Sequence, residues 1–408
     1  MKKILFTACL TAMTAAIFAQ VKEQISVEPL TIPQGKKAEM VVNFQFNANH
    51  QYVSYQFTVE LPSGLSLVEE EYGKAAYTLA DNQPASVFNV DFPVSNGILK
   101  VYSNPSTYIN GTSGELVRIP VKASDDLAVG TELTAKLSAV EFTWNTGAVR
   151  TVFDDAEASI TVGEPRIVFD EEAVSLPFYD DGETSDVTLK RTLKKDIWNT
   201  IVLPFPVSKA NLATAFGDGA QYAQFANDFE IEYEDDDITA RAITLKFSTV
   251  NTTRAGLSAQ KPYLVKPASD ITSFSLDGVK LSTTPTPDTK DDSEGYSSGS
   301  FTGTFVKTNV PTDCVFLSNE TFFYSTGATV IKGFRAWFDL QAVVGKEVSV
   351  EANMLRFIVD DSEATGISTA GSSKSKVQSC YDLQGRRMTS GKRGKGIYIM
   401  NNKKVVVR

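Results

Sequence analysis

Short runs of apolar residues at regular spacing, separated by turn residues, constrain the fold of this chain most. Between Ile25 and Val162 six such runs alternate or are continuously apolar, and glycine or proline breaks lie between them. The runs are Met40–Phe46, Val53–Leu61, Ile98–Tyr102, Leu116–Val121, Glu132–Leu137 and Ala158–Val162. Short half-buried strands in series are typical of an antiparallel β-sandwich. In Val53–Leu61 the odd-numbered residues are predicted to face the core and the even-numbered ones solvent.

A second β-rich part follows residue 163 and contains the conspicuous apolar run Ile197–Ser208, IWNTIVLPFPVS. Prolines interrupt both helices and central strands, so Trp198–Leu203 is predicted to be a buried strand that ends at a proline corner. Ser208–Gly217 predicts one short helix, with Ser208 as its N-cap and Gly217 as its stop. The predicted fold class is therefore mainly β, with two antiparallel sandwich-like domains, a small C-terminal β module and one short helix.

The first residues have the pattern of a secretory signal peptide. Lys2 and Lys3 precede an apolar run and small residues, so cleavage is predicted between Ala19 and Gln20. The predicted domains are 1–19 signal peptide, 20–163 sandwich, 164–360 second β-rich domain, 361–376 linker and 377–408 C-terminal module. We expect a secreted or cell-surface protein, associated with the outer membrane and without a transmembrane span after processing.

Charge and histidine content narrow the function classes. Loss of the two leader lysines leaves 37 basic and 49 acidic residues, which disfavours a nucleic-acid partner. His50 is the only histidine, and we expect it in a solvated turn. Without further histidines, serine or cysteine triads and histidine-rich zinc sites are excluded. Cys314 and Cys380 remain after cleavage, and their spacing neither requires nor excludes a disulfide.

Acidic residues leave two possibilities open. Alternation places Glu230, Glu232, Glu234 and Asp236 on one strand face, where they could hold Ca²⁺ or form a solvated surface, and we favour the surface. Asp180, Asp181, Glu183 and Asp186 have the same two interpretations. A glycoside hydrolase needs only two carboxylates from anywhere in the chain, so this activity stays an alternative.

Aromatic residues supply the ligand-binding candidates. In GFRAWFDL the strand period places Phe334, Ala336 and Phe338 on one face and Arg335 and Trp337 on the other, where that pair could stack on a ligand. Trp198 is a third candidate. Packing within the protein is the favoured interpretation for all three candidates.

Three regions of the chain resemble known families. PQGKKAEMVVNF, YQFTVELPSGLSL and GELVRIPVKASDDLAVGTELTAKLSAVEFT resemble, in this order, the cohesin-like β-sandwich of secreted bacterial proteins. WNTIVLPFPVS, AFGDG, KPYLVKP and IKGFRAWF are similar to a β-rich domain of Bacteroidetes surface proteins. The tail strands GIYI and KKVVVR resemble the C-terminal sorting domain of type IX secretion cargo.

These resemblances imply a non-enzymatic protein that binds a glycan or a surface protein through a sheet face, and whose C-terminus engages the outer-membrane secretion machinery. No cofactor is implied, apart from the possible Ca²⁺. The alternatives are the carboxylate-dependent glycoside hydrolase and a structural component of the cell surface or of a fimbria.

Overall fold

A computed structural model describes residues 22–103, 107–144, 149–233, 240–289, 299–312, 314–339 and 355–360, and the backbone of five short C-terminal strands. The chain is mainly β with one short helix, which confirms the predicted fold class. No described helix is long and apolar enough to cross a membrane. The predicted cleavage site at Ala19 and Gln20 lies outside the described residues.

An N-terminal sandwich is formed by strands within residues 24–163. The strands are β1 (Gln24–Val27), β2 (Leu30–Pro33), β3 (Lys37–Gln45), β4 (Tyr52–Glu60), β5 (Leu65–Leu67), β6 (Thr78–Leu79), β7 (Asn89–Asp91), β8 (Ile98–Tyr102), β9 (Ser113–Ala123), β10 (Glu132–Trp144), β11 (Arg150–Val152) and β12 (Ala156–Gly163). The first sheet has the order β1-β3-β9-β5, with β6 also on β9. The second sheet has the order β2-β12-β10-β4-β8-β7, with β11 on β10.

Alternating side chains of both sheets fill the space between them. In β4, Val53, Tyr55, Phe57 and Val59 are at most 6% exposed, as the alternation predicts. Each of the six predicted runs overlaps a strand, although β10 continues seven residues beyond its predicted end at Leu137. The pairing of β2 with β12 is parallel, so the sandwich is not purely antiparallel.

A second β-rich part carries its own cores. Its first elements are β13 (Arg166–Asp170), β14 (Thr184–Leu193), β15 (Asn199–Ile201), a 3₁₀ turn (Lys209–Asn211), α1 (Leu212–Phe216), β16 (Gln221–Tyr233), β17 (Ala240–Thr249), β18 (Tyr263–Lys266) and β19 (Ile271–Lys280). Then follow β20 (Asp288–Thr289), β21 (Ser300–Thr304), β22 (Thr308–Asn309), β23 (Val315–Ser318), β24 (Thr321–Tyr324), β25 (Val330–Ile331), β26 (Arg335–Asp339), β27 (Leu355–Val359) and β28 (Ser362–Ala364).

These elements form four sheets, with the orders β13-β14-β19, β15-β18-β16-β17-β27-β28, β20-β21-β26-β23-β24 and β22-β25. Two strand pairs, β13 with β14 and β17 with β27, are parallel and depart from the expected antiparallel pattern. Parallel neighbours need long connections, which short-range sequence patterns do not reveal.

The run IWNTIVLPFPVS lies in the interior, as predicted. Ile201, Val202, Leu203 and Phe205 are at most 3% exposed, although the regular strand ends already at Ile201. The predicted helix is present as the 3₁₀ turn and α1, but the Ser208 side chain forms no cap hydrogen bond.

The C-terminal region has further strands, β29 (Cys380–Tyr381), β30 (Arg387–Met388), β31 (Gly396–Met400) and β32 (Lys403–Val407). The last two pair as an antiparallel hairpin, as the tail pattern predicts. The linker expected over 361–376 is wrong in one respect, because Ser362–Ala364 pair with β27. Asp360 makes this turn possible, with a positive φ of 50° and with hydrogen bonds from the Thr249 amide and hydroxyl to its carboxylate.

Candidate functional site

The outer face of the second sheet is an open surface of the N-terminal sandwich. Cross-strand partners project to the same side of a sheet, so the registers show which residues share this face. Tyr102 is paired with Ser54, and Ser54 with Thr143. One step along the strands, Gln56 is paired with Lys100 and with Glu141. All outward residues of β4, β8 and β10 are partly or fully exposed.

Two strongly exposed side chains, Tyr102 and Val152, interrupt this polar face, together with the half-buried Ile98 opposite Thr58. Tyr102 is 51% exposed on β8, and Val152 is 72% exposed on β11, opposite Glu141. The two residues lie three strands apart, which corresponds to about 15 Å at the usual strand spacing. Polar residues between them are already ordered, since Gln56 Nε2 donates to Glu141 Oε2 at 3.2 Å. We call this surface, from β7 across to β12, the polar face.

Charged groups on the outer face of the first sheet bind one another, as Lys136 with Asp155 and Arg150 with Glu141 do on the polar face. Arg118 donates to both carboxylate oxygens of Glu115, at 2.8 Å and 2.6 Å, and reaches Glu39 at 3.4 Å. Burial raises the pKa of Glu39, while the Arg118 guanidinium acts in the opposite direction. Bonding to Glu115 raises the pKa of Arg118. The charged groups of this face are therefore engaged within the protein.

The rim of the first sheet is also occupied by the second β-rich part. Lys36 contacts Glu183, and the neighbouring Lys37 contacts Asp180 at 2.5 Å. The other two members of the acidic run Asp180–Asp186 accept backbone hydrogen bonds. Asp181 accepts from the Thr283 amide and Asp186 from the Gly278 amide. This run therefore joins parts of the molecule, and it does not assemble a metal site.

The candidate Ca²⁺ ligands of β16 are paired with cations. Glu230 lies 2.7 Å from the Lys246 ammonium, and Glu232 binds the Arg356 guanidinium. Glu234 and Asp236 lie outside the described residues. Within the described part of the chain, no cluster of three or more histidine, cysteine or acidic residues could hold a metal ion. The favoured interpretation of this acidic strand as a surface agrees with the ion pairs of Glu230 and Glu232.

Arg335 and Trp337 share one face of β26, and Ala336 and Phe338 share the other, as predicted. Phe334 does not belong to that face, because it precedes the strand with a φ of 59° and packs in a different core. The ligand-facing interpretation of this pair is not supported, because both side chains are engaged within the protein. Arg335 donates to Glu171 Oε2 at 2.8 Å. Trp337 packs against a small core with Phe316. Burial lowers the pKa of Arg335, and Glu171 counteracts this shift.

Trp198 belongs to the interior, in agreement with the favoured interpretation. Its side chain is 8% exposed within a core that includes Phe225 and Phe338. Its amide donates to Glu320 Oε1 at 2.9 Å, and the Lys266 ammonium lies 5.9 Å from the ring centroid. The indole is thus a structural element of the second β-rich part and not a ligand platform.

His50 is not a solvated turn residue, contrary to the expectation. Its side chain is 21% exposed, and Nδ1 lies 2.6 Å from Glu23 Oε1. The ring stacks obliquely on Trp144 with centroids 4.2 Å apart, and Tyr52 donates to the second oxygen of Glu23. Burial raises the pKa of Tyr52 to about 12. The group fastens Glu23, the residue before β1, to the start of β4, a contact between residues that are distant in sequence.

A carboxylate pair for hydrolysis does not appear at the described cavity beside α1. This cavity has a volume of about 300 Å³ and is lined mostly by small residues of α1 and of the segment that leads into β19. Its one acidic lining residue is Asp270, and Asp270 Oδ1 accepts a hydrogen bond from the Lys195 amide at 2.7 Å. A single carboxylate cannot provide both the acid and the base or nucleophile of a glycosidase.

Tyr102 and Val152 were not predicted as surface contacts. The signal for Tyr102 was present, because alternation in Ile98–Tyr102 puts Leu99 and Val101 inside and Tyr102 outside. Val152 gave no such signal, because β11 is only three residues long and its face is fixed by pairing with β10. Cys314 is buried, and the side chain of Cys380 lies outside the described residues.

Comparison with known proteins finds similarity of structure alone. No family model and no curated protein matches the chain. Solved cohesin modules align with about a third of the chain. The sixth cohesin of scaffoldin B from Acetivibrio cellulolyticus, solved in complex with a dockerin, has 16% identity and a TM-score of 0.29, covering 35% of this chain and 99% of the module.

Two further modules have similar values. A type III cohesin from a cell-surface anchoring scaffoldin of Ruminococcus flavefaciens has 16% identity and a TM-score of 0.29, covering 35% of this chain and 89% of that module. A non-cellulosomal cohesin of Archaeoglobus fulgidus has 14% identity and a TM-score of 0.25, covering 35% and 92%. Scores this low do not indicate what the chain binds.

Proposed function

We propose that this protein is a non-catalytic binding protein and that the polar face of its N-terminal sandwich contacts a partner protein. The observation that carries the proposal is the composition of this face. It is an open sheet surface with exposed Tyr102 and Val152 among ordered polar and charged groups. Aromatic anchors surrounded by polar residues are the usual pattern of protein interfaces.

The dimensions of the polar face suit such an interface. Tyr102 and Val152 are about 15 Å apart across the strands. Both can lie within one interface, because each partner of a standard complex contributes about 800 Å². A glycan would be held differently, mainly by several aromatic rings stacked on sugars. Among the outward residues described on this face, Tyr102 is the one exposed aromatic residue. We therefore favour a protein over a glycan.

Blocking the polar face tests this proposal. A cysteine introduced by Thr58→Cys and capped with a bulky maleimide should abolish capture of the partner from extracts of the cells that produce the protein. Lys122→Cys on the outer face of the first sheet, capped in the same way, is the matched control and should leave capture intact. Equal capture by both capped proteins would contradict the polar face as the binding surface, and dependence on added polysaccharide would favour a glycan.

We further propose that binding takes place outside the cell, at the outer membrane. Support comes from the basic, apolar and small-residue pattern of residues 1–19 and from the C-terminal hairpin of β31 and β32. Deletion of Cys380–Arg408 should retain the protein in the periplasm. If the truncated chain still reaches the cell exterior, these residues are not a sorting signal of the type IX kind.

A further inference from the structure

A short hairpin of the sandwich has a tyrosine in the turn at its tip. It runs from Val68 to Ala76, with amide hydrogen bonds from Ala76 to Val68 and from Glu70 to Lys74. At its tip the Lys74 amide donates to the Glu71 carbonyl at 2.9 Å, so Tyr72 and Gly73 are the two central turn residues. Both have positive φ, 51° and 77°, as in a type I′ turn.

The base of this hairpin is firmly held. Ala75 is 1% exposed, and its amide donates to the Phe92 carbonyl at 2.8 Å. The Val94 amide donates to the Gly73 carbonyl at 2.9 Å, and Gly73 also donates to Glu69 Oε1 at 2.8 Å. The tip is therefore presented in one conformation, which lowers the entropic cost of contact with a partner.

Tyr72 is 95% exposed, although a bulky residue at positive φ is strained. Seven other described non-glycine residues have positive φ, and several of them show what holds them there. Phe334 is buried in the core, Glu320 accepts the Trp198 amide, and Asp360 accepts two hydrogen bonds. The Tyr72 ring has almost no contact with the rest of the sandwich that could explain its presence at the tip.

The surroundings of the ring are acidic. Glu69, Glu70 and Glu71 precede it directly and are exposed, while Lys74 is the single basic residue of the turn. An exposed tyrosine ring attracts cations to its face, and carboxylates close to it strengthen this preference. Tyrosine and arginine also dominate the binding energy of protein interfaces.

We propose that Tyr72 is an anchor for a partner protein that presents an arginine or lysine to the hairpin tip, with the cation on the phenol ring and its charge near Glu70 and Glu71. This surface is additional to the polar face, because it lies on the hairpin beyond β7 and uses other residues. The proposal rests on the exposed aromatic ring. The glutamates indicate that the partner group in contact with it is positively charged.

Tyr72→Asn is a clean test, because Asn-Gly is the preferred sequence of a type I′ turn. The substitution removes the ring while keeping the hairpin and the net charge. The probe is a fluorescein-labelled peptide of alternating glycine and arginine, titrated into the full chain and followed by fluorescence anisotropy. Tyr72→Asn should weaken its binding about two- to fivefold, the range of an exposed cation–π contact.

Three controls make the result specific. Tyr72→Phe should bind as the unmodified protein does, since the ring is kept. Val174→Asn, at an apolar side chain of the second β-rich part that is 75% exposed, should not change binding of the arginine peptide. A peptide of alternating glycine and glutamate should not bind. The thermal unfolding midpoint of Tyr72→Asn should be unchanged or higher, which shows that the hairpin is intact.

The proposal is overturned if Tyr72→Asn binds the arginine peptide as tightly as the unmodified chain. It is also overturned if soluble xylan or laminarin fragments, and not the peptide, lose binding on this substitution, since the ring would then serve sugars. Neither result affects the polar face, which is tested through Thr58 and Lys122.

Discussion

Lys36 Nζ lies 3.0 Å from Glu183 Oε1, and this ion pair joins the turn before β3 to the turn before β14. Both side chains are only about one-fifth exposed, at 21% and 23%, so solvent screens the pair less than a surface pair. The Lys37 ammonium beside it also lies 5.9 Å from the centroid of the Phe178 ring. The sandwich and the second β-rich part are thus held together at this point by charge.

A double-mutant cycle on this junction should give a coupling of about 0.5–1 kcal/mol, the upper part of the range for ion pairs near a surface. The variants are Lys36→Ala, Glu183→Ala and the double substitution, measured by urea unfolding. The matched control is Lys22 with Asp154, which are 73% and 76% exposed and should show no measurable coupling. Equal coupling at both pairs would show that partial burial does not matter here.

The buried carboxylate of Glu171 should be essential for stability. It is 7% exposed and lies 2.8 Å from Arg335 and 3.6 Å from Arg191, whose side chain is 2% exposed. Burial lowers the pKa of Arg191 well below its usual range, and Arg335 adds to this shift. Glu171→Gln leaves these cations without their counter-charge, so the free energy of unfolding should fall by about 3 kcal/mol.

Adding Arg191→Met to Glu171→Gln should restore part of this loss, because the buried cation is then removed as well. Chemical denaturation of both variants measures the effect. A Glu171→Gln protein as stable as the unmodified chain would mean that water, and not Glu171, compensates these cations.

Gly303 of β21 should not tolerate a side chain. An added Cβ would lie 2.5 Å from Val202 Cγ1 and 2.8 Å from Val202 Cβ, inside the buried IWNTIVLPFPVS run. Gly303→Ala should therefore lower the free energy of unfolding by about 1–3 kcal/mol, as overpacked cores do. Val202→Ala in the same chain should relieve part of the clash. If the two substitutions change the free energy of unfolding additively, Gly303 and Val202 are not in close contact.

Alkaline pH should destabilise the sandwich through its buried tyrosines. Burial raises the pKa of Tyr52 from 10.0 to about 12, and it raises the pKa of Tyr55 further. Between pH 10 and 12 the unfolded chain releases these protons more readily, so stability present below pH 10 falls as pH rises. Tyr52→Phe should flatten the decline in urea midpoints over this range, whereas Tyr102→Phe on the polar face should not.

Local patterns predicted the parts of the fold that depend on periodicity. The inward residues of β4 and the alternation in β26 both follow from strand spacing, and the short helix follows from its predicted ends. A period of two or of 3.6 residues fixes which side chains share a face, whatever the rest of the chain does.

Contacts between distant residues could not be predicted in this way. The partners of Glu230 and Glu232 come from β17 and β27, and Glu23 meets His50 across 27 positions. The sequence around a single carboxylate or histidine does not show which cation or acid its side chain binds. The parallel strand pairs were missed for the same reason, because their neighbours are set by long connections.

The location of the proposed binding surface could not be predicted from the sequence. An alternating strand shows two faces, but only the sheet order shows that the outward side of β4 joins β8 and β10 in one open surface. The hairpin at Tyr72 was not predicted, because the sequence does not show that the ring is exposed.

Photo-cross-linking from the polar face tests the central claim most directly. A benzoylphenylalanine placed at Lys100, which is exposed on β8, should cross-link one partner protein in intact cells. The same group at Lys122, exposed on β9 of the first sheet, should not cross-link this partner. Cross-linking from Lys122 alone, or equally from both positions, would contradict a partner-binding role of the polar face.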